Sequence, residues 1–140
     1  MNRLEGAFIA IVFAHLGAVL APTVAPLALQ IIPPPAATVF ILGVIMIAPV
    51  ATLPLLRFNR LVASGLLAVV MAAAFAYGFQ GHFLAPGPDH VTIVASDPWT
   101  LAFVVTGAVI GALEIVAVIV AAIVFSRAVR IPSGPGERPG

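Results

Sequence analysis

Four stretches of this 140-residue chain stay apolar for about the length a helix needs to cross a lipid bilayer. They are GAFIAIVFAHLGAVLAPTV from Gly6 to Val24, ATVFILGVIMIAPVATLPLL from Ala37 to Leu56, LVASGLLAVVMAAAFAYGF from Leu61 to Phe79, and the longest, from Trp99 to Phe125. A hydrocarbon core of about 30 Å is spanned by about 20 helical residues. Within it every backbone N–H and C=O must bond inside the protein, so only helices or closed barrels fit. Barrel strands alternate apolar and polar residues, whereas these runs are continuous. The chain is therefore expected to be all-α, a four-helix transmembrane bundle over residues 1–132, with a polar Pro/Gly-rich tail over 133–140 that is expected to be disordered.

Composition narrows the function. The chain is 62% hydrophobic and 8% charged, against about half and about a quarter in soluble domains. Its expected partner is the lipid bilayer, and a net charge of +1 provides no basic field for nucleic acid. The absence of cysteine excludes disulfide frameworks, thiol catalysis and thiolate metal sites. No nucleotide-binding loop, nucleophile elbow or metalloprotease motif is present, so an enzymatic role has no support.

The connections agree with four spans. IIPPPA, between the first two runs, cannot continue a helix through its prolines. Arg57-Phe58-Asn59-Arg60 makes a short turn, and Gln80 to Pro98 reads as a long outer loop. Asp97 and Pro98 look like an N-cap and first-turn proline for the fourth helix. The six cations are all arginines: Arg3, Arg57, Arg60, Arg127, Arg130 and Arg138. This threading puts every one on the same side, so both termini are expected in the cytoplasm of a bacterial or archaeal cell, the chain lying in its inner membrane. Tyr77 and Trp99 then fall near the outer interface, as an aromatic belt would place them. A cleaved signal peptide is the rival for the first run. Its small-residue pattern is only half met at Val19-Leu20-Ala21, and Glu5 is unusual in such a leader.

Within TGAVIGALEIVAV, from Thr106 to Val118, a single glutamate interrupts the longest run. Glu114 is about 20 Å of helix from either end, too far for a carboxylate to reach water. An acid at the bilayer centre costs on the order of 3 kcal/mol, so a partner, a watery cavity or a bound proton is required. Gly107 and Gly111 share its stripe, which suggests a close helix–helix seam. His15 lies about 14 Å into the first helix and Glu114 about 17 Å above Phe125, depths that predict a hydrogen bond between them across a helix one–helix four contact. Such a pair is structural glue, a proton or ion pathway, or a ligand site.

Other candidates carry less. Pro49 and Pro54 free backbone carbonyls in the second helix and predict kinks. Ser64, Ala68, Ala72 and Ala76 form a small-residue stripe on the third helix that reads as packing, and Glu5 is expected to be solvated at the inner interface. His82, Asp89 and His90, in the outer loop, could hold a divalent metal, though their spacing fits no defined ligand set. Haem bound by His15 would need a second ligand from Met46, Met71, another subunit or a dimer mate. No cofactor is therefore predicted.

Ala14-His15-Leu16-Gly17, Gly65-Leu66-Leu67 and Pro98-Trp99 resemble small bacterial four-helix membrane proteins of unassigned activity, and the layout is similar to copper-resistance-type membrane domains that carry a histidine in a membrane helix. The resemblance implies four helices and assigns no catalytic residue. A lone membrane histidine departs from the multi-ligand pattern of haem or copper sites. The leading expectation is a structural or accessory subunit that packs into an oligomer or larger membrane complex. A proton-coupled transporter using Glu114 and His15 is the alternative, and a redox protein with His15 as a haem ligand is the third.

Overall fold

The structure, a computed structural model, describes residues 3–20, 32–87, 90–92 and 98–130. Those residues form four helices, each long and apolar enough to cross a membrane. Helix α1 is Arg3–Leu20, α2 is Pro35–Phe58, α3 is Arg60–Leu84 and α4 is Pro98–Val129. The rest of the first run beyond Leu20, the Asp97 cap and the tail lie outside the described residues.

Each boundary has a local cause. Helix α2 starts at Pro35, two residues before the expected Ala37, because a proline in the first turn has no N–H that an intrahelical bond would need. Asn59, extended between α2 and α3, accepts hydrogen bonds on its side-chain oxygen from Leu61 N–H and Val62 N–H, both 3.1 Å. That cap satisfies two of the donors a helix start leaves open. Helix α3 does not stop at Phe79 but continues through a π-helical turn, Gln80–Leu84. His82 is thus helical, where a loop was expected.

Kinks were expected at the prolines of α2; what stands there is a change of helix type. A π-helical stretch, Ile41–Ile47, ends two residues before Pro49, and an α-helix resumes over Ala48–Phe58 with Pro54 inside it. A proline ring crowds the carbonyl four residues earlier, and the wider π turn gives it room.

Helix α3 packs along α4 and also against α2, while α1 packs against α4 and, over a shorter stretch, against α2. The order around the bundle is therefore α1–α4–α3–α2. Helices α3 and α4 run antiparallel: Gly65 faces Phe125 at one end of their seam, and Gly111 faces Phe75 further along. Buried residues recur three or four apart on every helix, the spacing of one helical face. They are Phe8, Ile11, Val12 and His15 on α1; Pro49, Thr52 and Leu56 on α2; Ala63, Ser64, Leu67, Val70, Met71 and Ala74 on α3; and Glu114, Ala117, Ala121 and Val124 on α4, with Phe103 about three turns before Glu114. On α3 this corrects the expected stripe. Ser64 belongs to the buried face, but Ala72 and Ala76 point outward, since the larger Leu67 and Met71 fill the core.

The apolar core occupies the half of the bundle nearer the arginines, between Phe8, Leu56, Leu67, Ala117 and Val124. Arg3, Arg57, Arg60, Arg127 and Arg130 all stand at or just beyond the helix ends there. Helix α2 is less evenly covered: no residue from Pro35 to Ile47 is buried.

Candidate functional site

His15 and Glu114 extend the buried faces of α1 and α4 beyond the apolar core, towards the middle of the bundle. His15 is 1% exposed and Glu114 3%. The two helices that carry them pack together, as expected. The expected hydrogen bond between the two side chains is not formed. Nε2 of His15 instead donates to the backbone carbonyl of Ile45, on α2, at 3.2 Å. Nδ1 is buried without a hydrogen-bond partner. Among the described residues, no hydrogen bond or ion pair involves the Glu114 carboxyl.

The preference for Ile45 has a physical reason. In an α-helix its carbonyl would accept from the N–H four residues on, which is position 49. Ile45 sits in the π-helical stretch, where the donor is one residue further on, but Pro49 has no N–H in either pattern, so the turn before it is one donor short and His15 supplies one. Depth agrees: His15 lies about 18 Å along α1 from Arg3, and Ile45 about 20 Å along α2 from Phe58, at 1.5 Å per residue. A carbonyl only accepts, so Nε2 must carry the hydrogen. In the neutral ring Nδ1 is then a bare lone pair, held in the bundle interior with no donor. A backbone carbonyl in α2 thereby sets the tautomer of a histidine in α1.

The other buried polar groups are self-satisfied. Thr52 donates to Pro49 O at 2.6 Å, and Ser64 to Arg60 O at 2.6 Å. Thr106 donates to Ala102 O at 2.7 Å. Each returns its hydroxyl to its own helix and asks nothing of a neighbour. His15 Nδ1 and Glu114 are the exceptions.

Gly107 and Gly111 do not bring two backbones into contact. Positions where Cβ atoms would stand look onto the His82 ring at 3.9 Å and the Phe75 ring at 3.6 Å, ordinary van der Waals separations. The glycines seat rings of α3, which places their stripe on the α3–α4 seam. The two described metal candidates each have another contact, and Val91 N–H donates to His82 O at 2.9 Å. His82 packs edge-on against Phe103, ring centroids 5.0 Å apart. His90 Nδ1 accepts from Thr92 N–H at 3.3 Å and lies 2.8 Å from the Thr92 hydroxyl. Asp89 lies outside the described residues. Among the described residues no three His, Asp or Glu side chains cluster as a metal site would need. Glu5, expected to be solvated, forms an ion pair with Arg60, which ties the start of α1 to the start of α3.

The His15–Ile45 contact was missed at the level of sequence because a backbone acceptor has no letter of its own. The one available signal was Pro49, four residues after Ile45. Compared with protein-family models, curated proteins and solved structures, the chain matches none, so its function rests on its own residues.

Proposed function

We propose that this chain is a multi-pass protein of a bacterial or archaeal cytoplasmic membrane, with both termini in the cytoplasm, and that it acts as a small accessory subunit packed against further copies of itself or a larger complex. Four apolar helices and the gathering of arginines at one end of the bundle support the placement. The thinly covered half of α2 carries the subunit role. From Pro35 to Ile47 no residue is fully buried, Val44 reaches the core only in part, and Gly43 is exposed with no heavy atom near the position of a Cβ. A small residue on a bare face lets another helix come close, which is how membrane helices associate. Native mass spectrometry from lipid nanodiscs tests this: Gly43→Leu should reduce an oligomer to single chains, and a wild-type protein that is a single chain without a partner would rule the subunit role out.

A second role is favoured by a specific observation. Structural glue in a membrane interior works by satisfying polar groups, and among the described residues His15 Nδ1 has no partner and the Glu114 carboxyl makes no hydrogen bond or ion pair. Unpaired ionisable groups at that depth suit proton movement better than scaffolding. On this reading the chain is a small proton-coupled carrier, with Glu114 taking up the proton and His15 relaying it. In proteoliposomes with an internal pH dye, Glu114→Gln should abolish proton flux while leaving assembly intact; unchanged flux would remove the carrier role.

A further inference from the structure

We propose that Nδ1 of His15 and the carboxyl of Glu114 together form a binding site for one exchangeable proton, and that the Nε2 hydrogen bond to the Ile45 carbonyl fixes which histidine nitrogen takes part. The proposal deepens the carrier reading but does not need transport to be true.

Three observations meet here. His15 donates through Nε2 to Ile45 O, so the nitrogen left for other chemistry is Nδ1, an acceptor buried without a donor. Glu114 is the other buried ionisable group of the interior, and its helix packs directly on α1. No third charge interferes. Helix α2 has no ionisable side chain between Pro35 and Leu56, and α3 has none between Leu61 and Ala76. On α1 the nearest charged residues, Arg3 and Glu5, lie about 15 Å or more away along the helix. On α4 the next charged residue after Glu114 is Arg127, about 20 Å further on. At the opposite end of the bundle, Tyr77 is partly exposed and His82 stands against Phe103.

The proton balance follows from the low dielectric. With one proton bound, the pair is either carboxylic acid plus neutral imidazole or carboxylate plus imidazolium, and both forms are neutral overall. Moving the proton breaks the Glu114 O–H bond and forms an Nδ1–H bond, with the oxygen keeping the electron pair. A bridging water or a turn of the Glu114 side chain completes the path between them. Losing the proton leaves one negative charge in the bilayer, which is the costly state. Adding a second proton gives acid plus imidazolium, one positive charge, and is costly for the same reason. The site thus holds one proton and resists zero or two. Throughout, Nε2 keeps its hydrogen on Ile45 O, so the proton enters and leaves only on the Nδ1 face.

Nanodisc-embedded protein, labelled with 15N at histidine and 13C at glutamate carboxyls, tests this by NMR and infrared difference spectra across pH. The expected result is an Nε2–H tautomer for His15 at every pH where the ring is neutral. One proton per chain should titrate with the protonated-carboxyl band of Glu114, and His15→Gln should displace both the midpoint and the position of that band. Pro49→Ala, which restores an N–H to the turn that carries Ile45 O, should mix the two tautomers even if His15→Gln fails to fold. An Nδ1–H tautomer in the wild type, or a Glu114 band indifferent to His15, would overturn the site. A titrating, coupled pair in a protein that passes no protons through proteoliposomes would uphold the site and eliminate only the carrier role.

Discussion

Glu5 and Glu114 are the same residue in two different solvents. Glu5 stands one turn into α1, at the arginine end of the bundle, where Arg60 meets it from α3. Glu114 lies about 22 Å from the end of α4, buried and, among the described residues, without a partner. The first acid joins two helices where water screens the charges and either member could be solvated alone. The second is withdrawn from bulk water and unpaired among the described residues, so it has to carry a proton or find a donor. An ionisable side chain at the rim of such a bundle is therefore a fastener. The same side chain in the interior is a liability that a purely structural protein would have little reason to keep.

The sharpest way to break this contrast is Glu114→Met, which fills a similar volume without polar atoms. If the interior acid is unpaired, the variant gains stability, by about 1–3 kcal/mol, the penalty of a buried unsatisfied group. Unfolding in bicelles followed by steric trapping would register it, and a loss of stability would mean that Glu114 is glue after all. His15→Leu comes next. It removes the link to Ile45 and should destabilise the bundle by about 0.6–1.7 kcal/mol, the span of intramembrane hydrogen bonds. Pro49→Ala should blunt that loss, because the turn holding Ile45 O then gains a backbone donor; additive effects in the double variant would deny the coupling.

At the rim the effects shrink. Glu5→Gln should destabilise by no more than about 1 kcal/mol and less as salt is raised, as half-exposed ion pairs do. A salt-independent loss would mark Glu5 as buried in the way Glu114 is. Gly111→Ala should be nearly silent, within about 0.5 kcal/mol, since the added methyl meets the Phe75 ring at an ordinary distance and alanine favours helix. A large loss there would show that the seam needs a bare backbone.

The four helices were readable because a bilayer reduces the fold problem to length and apolarity, which each run states directly. Their ends were less so. Gln80 and Gly81 look like the start of a loop, yet a π turn carries α3 through them to Leu84, and nothing in their side chains announces it. Pairing His15 with Glu114 by depth found both buried polar residues and the right pair of helices. It chose the wrong acceptor because side chains were matched only with side chains. Pro49 held part of the missing information, since a proline withdraws a donor from the turn before it, and Ile45 stands in that turn. The pairing of Glu5 with Arg60 was hidden differently: it depends on which helix starts stand side by side, and that order follows from packing across the whole core.

Every contrast between rim and interior depends on where the membrane lies, and a chain without cysteine is ready for the measurement that decides it. Single cysteines at Phe58, Thr92 and Val129, all exposed positions, can be probed on intact cells with a maleimide that does not cross membranes. The account predicts labelling of Thr92→Cys from outside, and of Phe58→Cys and Val129→Cys only after the cells are opened. Labelling of Phe58→Cys and Val129→Cys from opposite sides would contradict it.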